Sequence, residues 1–137
     1  MPRGLSAREF AIDLKKFGTV TREQATLIFK KIVFDLDTRI VLGTPVDTGR
    51  ARGNWFPSIG APSGARDDSA SDKSGAAAIG RMQSTFSGAK IGDIAWFTNN
   101  LPYILPLENG HSKQAAQGMV DINLNAVAAF YGGSISR

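Results

Sequence analysis

The run from Thr21 to Pro45 constrains the fold more than any other stretch of the chain. Thr21 and Gln24 stand at capping-box spacing, where each side chain can satisfy the other residue's backbone N–H. Ala25, Ile28, Phe29, Ile32, Val33, Leu36 and Ile40 then recur at helical spacing. Arg22, Lys30, Lys31 and Asp37 fall on other faces. Gly43 stands where a helix is capped, and Pro45 prevents continuation. The spacing predicts a helix of roughly 20 residues, a rod of about 30 Å. A rod of that length with one apolar stripe must bury the stripe against something. The core of one domain and a contact with a neighbouring copy both meet that need.

The rest of the chain reads as shorter pieces. Ser6 with Glu9 makes a second capping box, and Phe10, Leu14 and Phe17 follow at i, i+4, i+7, so a first helix is expected over 6–16. The stretch 50–59, with Trp55 and Phe56, reads as a strand. The segment 60–75 (GAPSGARDDSASDKSG) has no large aliphatic or aromatic residue and cannot offset its ordering entropy by burial. It is expected to be a flexible loop, or an arm ordered by a partner. A helix is predicted over 76–86, a strand over 91–98, an extended run over 103–107, a polar loop over 110–118 and a last helix over 119–131, ended by Gly132-Gly133. No internal repeat is visible.

Composition narrows the function classes. The 137 residues suit one domain, with 42% hydrophobic and 20% charged residues. No cysteine is present, which removes disulfides and thiolate metal sites from consideration. No apolar run approaches the length of a membrane span, and Met1–Leu5 lacks a signal-peptide core, so a chain made and kept in the cytoplasm is expected. The formal net charge is +4. The basic pairs Lys15-Lys16 and Lys30-Lys31 are interleaved with Glu9, Asp13, Glu23, Asp35 and Asp37, the pattern of solvated helix faces. A nucleic-acid-binding module would need a clustered basic face with stacking aromatics, and Arg50, Arg52 and Trp55 are the candidates.

Two segments carry more information together than either does alone. One is Thr44-Pro45-Val46-Asp47-Thr48-Gly49-Arg50-Ala51-Arg52-Gly53-Asn54-Trp55. The other runs from Asn99-Asn100-Leu101-Pro102-Tyr103-Ile104 through Leu107-Glu108-Asn109-Gly110-His111-Ser112-Lys113-Gln114 to Gly118-Met119-Val120. In this order, after a long helix, they resemble the tail-completion or neck proteins of tailed bacteriophages. With that helix and the C-terminal segment, the likeness covers about three quarters of the chain. Ala116 departs from it, standing where the family often has proline, and so does the long 60–75 insertion. The resemblance implies a virion ring subunit that completes the tail and joins it to the head. It implies a homo-oligomer of six copies, with twelve as the alternative. It also implies contacts with connector and tail proteins, and a lumen through which DNA passes without sequence recognition. The implied chain is not an enzyme and uses no cofactor.

The residues themselves support a physical reading beside this. Asp47-Thr48-Gly49 suits a tight turn. Arg50 and Arg52, at alternate positions of a strand, would share one face suited to a neighbour's carboxylates. Tyr103 and Leu107 read as core or interface anchors. Glu108 is expected either to accept backbone N–H groups of its loop or to meet an arginine. Arg50, Arg52, Trp55, Tyr103 and Glu108 form the candidate subunit interface. His111, with no partners at ligand spacing, reads as a loop histidine. Asp-Thr-Gly is also the triplet of aspartic proteases, and Ala78-Ile79-Gly80-Arg81 resembles their second signature. A homodimer would bring two copies of Asp47 together. Here a helix and Pro45 precede the triplet, and Arg50 follows it, where a cation would disturb a shared proton. The expected fold is α+β: a long N-terminal helix and shorter helices on a small, mostly antiparallel sheet, one domain over 1–137.

Overall fold

The computed structural model describes residues 8–110 and 112–136. Its elements are β1 (Glu9–Ala11), α1 (Arg22–Gly43), β2 (Trp55–Ile59), α2 (Ala76–Phe86), β3 (Ala95–Asn99), α3 (Ile104–Glu108), α4 (Asp121–Tyr131) and β4 (Ser134–Ser136), with short 3-10 turns at Leu14–Phe17, Arg52–Asn54 and Lys113–Ala115. The class is α+β. The strands form two separate antiparallel pairs, β1 with β4 and β2 with β3.

The long helix starts and stops where its end signals stand. The Thr21 hydroxyl accepts the Gln24 N–H, and the Gln24 side chain accepts the Thr21 N–H. Ala25, Ile32, Ile40 and Val41 are buried. Ile40 and Val41 pack with Trp55, Ala78 and Met119, while Met82, Phe86 and Ala89 continue the core beneath Phe29, Val33 and Phe34. Each large side chain buried in this way contributes about 2 kcal/mol. α2 spans 76–86 as expected. Gly80 does not break it, because that position is exposed and faces open space.

Asp37 departs from the expected solvated face. It is 4% exposed. Val33, one turn earlier, packs on the Met82 and Phe86 cluster, and Val41, one turn later, packs with Ala78. α2 therefore covers a flank beside the apolar stripe, and Asp37 lies on that flank. Among the described residues it has no hydrogen-bond or ion-pair partner, and burial pushes its carboxyl well above the usual range.

The expected first helix over 6–16 is corrected. Ser6 lies outside the described residues. Glu9–Ala11 is a strand, paired Glu9 to Ser136, Phe10 to Ile135 and Ala11 to Ser134. Asp13 then accepts the Lys15 N–H and opens a 3-10 turn. The apolar spacing suited a helix, but pairing with β4 set the backbone. The run 103–107 is also corrected, from extended to helical. Pro106 is tolerated because it stands in the first turn, where its missing N–H would have no intrahelical partner. The strand expected over 50–59 begins only at Trp55, after the 3-10 turn. The strand expected over 91–98 begins at Ala95, after a turn closed by Asp93.

Candidate functional site

The two motif segments, far apart in sequence, meet in space. The Gln114 carboxamide accepts the Val46 N–H and donates to the Val46 carbonyl, each at 2.8 Å. Asn99 Nδ2 donates to the Ala51 carbonyl at 3.0 Å. The Arg50 guanidinium lies 5.6 Å from the centre of the Tyr103 ring. Trp55 stacks on Phe97 with ring centroids 5.2 Å apart. Its indole N–H donates to Thr44 Oγ1, whose own hydroxyl donates to the Ile40 carbonyl. Between the segments lies a cleft of about 330 Å³, with Pro45, Asp47, Arg50, Tyr103, Leu107 and Gln114 on its wall. Asp47 is exposed there.

The turn that opens the first segment is set by close approach as well as by φ. Gly49 has φ +88°, and a Cβ there would lie 2.5 Å from the Lys73 backbone nitrogen. Its carbonyl accepts the N–H groups of Gly53 and Asp72. The 60–75 segment is thus strapped to the turn. Asn54, fully buried, bonds the Asp67 backbone through both ends of its amide. Asn100 holds the carbonyls of Ser63 and Ala65. Asp68 pairs with Arg50 at 2.8 Å and with Arg66 at 2.6 Å. Asp72 accepts the N–H groups of Ala77 and Ala78 and caps α2. The loop has no helix or strand of its own. Its apolar poverty is offset by these hydrogen bonds to the body, a source of order that a count of apolar residues does not register.

The sequence-derived interface residues separate into two groups. Arg50 and Tyr103 stand on the cleft, and Tyr103 is 36% exposed. Arg52, Trp55 and Glu108 are turned to internal tasks. Arg52 and Arg50 do not share a strand face, because the chain here is a turn. Arg52 donates to three backbone carbonyls: Thr44 at 2.9 Å, Leu42 at 2.8 Å and Lys73 at 2.9 Å. Trp55 is 5% exposed. Glu108 takes the first of its two expected roles, accepting the N–H groups of Met119, Val120 and Asp121 at 2.9, 2.8 and 2.9 Å. A carboxylate on three N–H groups where α4 begins meets both the unpaired donors and the positive end of the helix dipole.

Replacing Glu108 with alanine is expected to cost about 2 kcal/mol and to weaken amide-exchange protection in the first turn of α4. Glutamine should recover part of the loss. An alanine variant with unchanged stability and protection would show that the carboxylate is not holding that helix. His111 lies outside the described residues. Among the described residues, no three His, Cys, Asp or Glu side chains come together as a metal site, and no helix is long and apolar enough to cross a membrane.

Asn54, Asp72 and Gln114 were not singled out from sequence. Asn54 and Gln114 lie in the two motif segments, but nothing local shows that their amides close on Asp67 and Val46. Comparison of the chain with protein-family models, with characterised proteins and with solved structures finds no match.

Proposed function

We propose that this chain is a ring subunit of the neck of a tailed bacteriophage, completing the tail and joining it to the head while leaving a channel for DNA. The observation that carries the reading is the meeting of the two motif segments at one surface cleft. The segments that together resemble neck proteins are bonded to each other through Gln114 and Val46 and through Asn99 and Ala51. The work of such a subunit lies in contacts and not in bond chemistry. The cleft, with Arg50, Tyr103 and exposed Asp47 on its wall, is its candidate socket for a neighbour or a connector protein. Copies joined head to tail through one such socket close into a ring when the rotation allows, with six copies favoured.

The test uses a phage that lacks this gene, supplied with the chain in trans. Wild type should restore joined, infectious particles. Arg50→Glu reverses the charge at the socket while removing a part-exposed ion pair with Asp68 and a contact with the Tyr103 ring, each worth about 1 kcal/mol or less, so the chain stays folded. It should leave separate heads and tails in electron micrographs, because like charges then face each other across the contact. Normal particles from the folded Arg50→Glu chain would remove the cleft as an interface. Normal joined particles from the gene deletion itself would overturn the neck reading.

A further inference from the structure

The β2–β3 sheet has two strands, so each strand has one unshared edge. The Gly60 N–H bonds the Ile94 carbonyl at 2.9 Å, one step beyond the Ile59–Ala95 pair. Bonded and non-bonded pairs alternate along an antiparallel ladder. Ser58–Trp96 and Phe56–Thr98 are therefore bonded pairs. Trp55, Pro57 and Ile59 turn their backbone groups outward on the β2 side, and Ala95, Phe97 and Asn99 do so on the β3 side.

The two edges are treated differently. On β2, Pro57 offers no N–H, and Arg81 Nη2 donates to the outward carbonyl of Trp55 at 3.0 Å and to that of Gly53, in the turn just before the strand, at 2.9 Å. The same guanidinium lies 4.3 Å over the Phe56 ring, and α2 packs along this strand. That edge is guarded at its Trp55 end and by Pro57. On β3, no hydrogen bond among the described residues reaches the outward N–H or C=O groups of Ala95, Phe97 and Asn99. Among the described elements, only β2 packs extensively along it. Its sequence, Ala-Trp-Phe-Thr-Asn, has neither the proline nor the charge that commonly guards an exposed edge. Trp96 on this strand has a buried indole N–H with no acceptor.

We propose that the free edge of β3 is a contact between two copies of this chain, with the two β3 strands antiparallel across a two-fold axis. Full overlap places Phe97 opposite Phe97 of the second copy and Ala95 opposite Asn99, so every outward backbone group on both strands is paired. Trp96 then faces Thr98 of the second copy on either side of the axis, an aromatic and β-branched pair that stabilises sheets. No charge stands in the overlap. The product is a four-stranded sheet, β2-β3-β3-β2, ended on both sides by Arg81. A two-fold contact uses the same edge on both copies, so it leaves no second β3 edge free and closes at two copies. It does not rest on the ring reading, since none of the residues in the overlap lines the cleft.

The experiment is light scattering on the eluting wild-type chain and two variants. Ala95→Pro removes a donor from the outer edge and none from the ladder with β2. Wild type should elute at twice the chain mass. Ala95→Pro, with unchanged circular dichroism, should weaken the dimer at least about tenfold, because one donor is lost twice in a symmetric contact. If Ala95→Pro does not fold, Thr98→Lys, which puts a charge on the edge, gives the same reading. The chain carries no cysteine, so a Trp96→Cys, Thr98→Cys chain should form a disulfide-linked dimer on mild oxidation. A wild-type monomer at every accessible concentration overturns the proposal. An oligomer left intact by both edge substitutions, or one that the paired cysteines fail to link, also overturns it.

Discussion

Replacing Arg52 with glutamate is expected to unfold much of the molecule's middle, and replacing Arg50 in the same way is not. The two arginines are two positions apart but do different work. Arg52 closes the C-terminal end of α1, taking the carbonyls of Leu42 and Thr44, and holds the strap through the carbonyl of Lys73. A cation there also meets the negative end of the helix dipole. Each charge-assisted hydrogen bond contributes about 1.5–3 kcal/mol, less where it is open to water. Arg52→Ala should therefore cost about 3 kcal/mol. Arg52→Glu should cost more, since a carboxylate would face three carbonyl oxygens. Arg50 instead holds Asp68, which is 62% exposed, an ion pair of small net value. Thermal unfolding followed by circular dichroism should show a midpoint loss on the order of 10 °C for Arg52→Ala. Arg50→Ala should change it little. Equal, small losses for both would show that the Arg52 bonds do not hold the end of α1.

The second large effect runs in the opposite direction. Asp37→Asn is expected to stabilise the chain at neutral pH by about 1–2 kcal/mol, because a neutral amide is cheaper to bury than an unpaired carboxylate. The pH dependence follows from the raised folded-state value. Unfolded, the group titrates near 3.8. Folded, it holds its proton to higher pH. Between those two points the folded chain binds the extra proton, so stability falls as pH rises through this window and then levels. Asp35 pulls the other way. Burial raises its value, but hydrogen bonds from Arg39 and Tyr131 outweigh that and hold it low, so its contribution is lost as pH falls. Subtracting the Asp37→Asn profile from wild type isolates the first effect. The gap should be small near pH 4 and widen upward. A gap that stays constant with pH would mean that Asp37 is ionised in the folded chain as freely as in the unfolded one.

What was legible in the sequence was local. The capping box at Thr21 and Gln24, the stripe from Ala25 to Ile40 and the stop at Gly43 and Pro45 concern residues a turn or two apart, and they placed α1 closely. α2 and α4 were legible for the same reason. Glu9–Ala11 was not, because its backbone is set by Ser134–Ser136 at the other end of the described chain. Asp37 was placed on the wrong face because α2 widens the buried arc of α1, and nothing within α1 announces that. The arginines were misread through parity. Alternation puts i and i+2 on one side of a strand, but a 3-10 turn rotates them apart. At the site, the motif segments themselves were visible. The bonds that join them, from Gln114 to Val46 and from Asn99 to Ala51, depend on how α1 and β2 pack.

The placement of α2 has a consequence for the order of events as the chain folds. β2 and β3 are partners, yet the strap and all of α2 lie between them in sequence. No tight turn can bring the two strands together, so their pairing waits on the loss of chain freedom that closing so wide a loop entails. α1 needs no such wait for its backbone hydrogen bonds, which are made within the helix. α2 gains its cap from Asp72 and its seat from α1, and once docked it holds both ends of the loop near each other. The β2–β3 pair then closes late, as does β1–β4, whose strands stand at the two ends of the described chain, and the rate of β2–β3 closure should follow the docking of the two helices more than the β-propensity of its own strands.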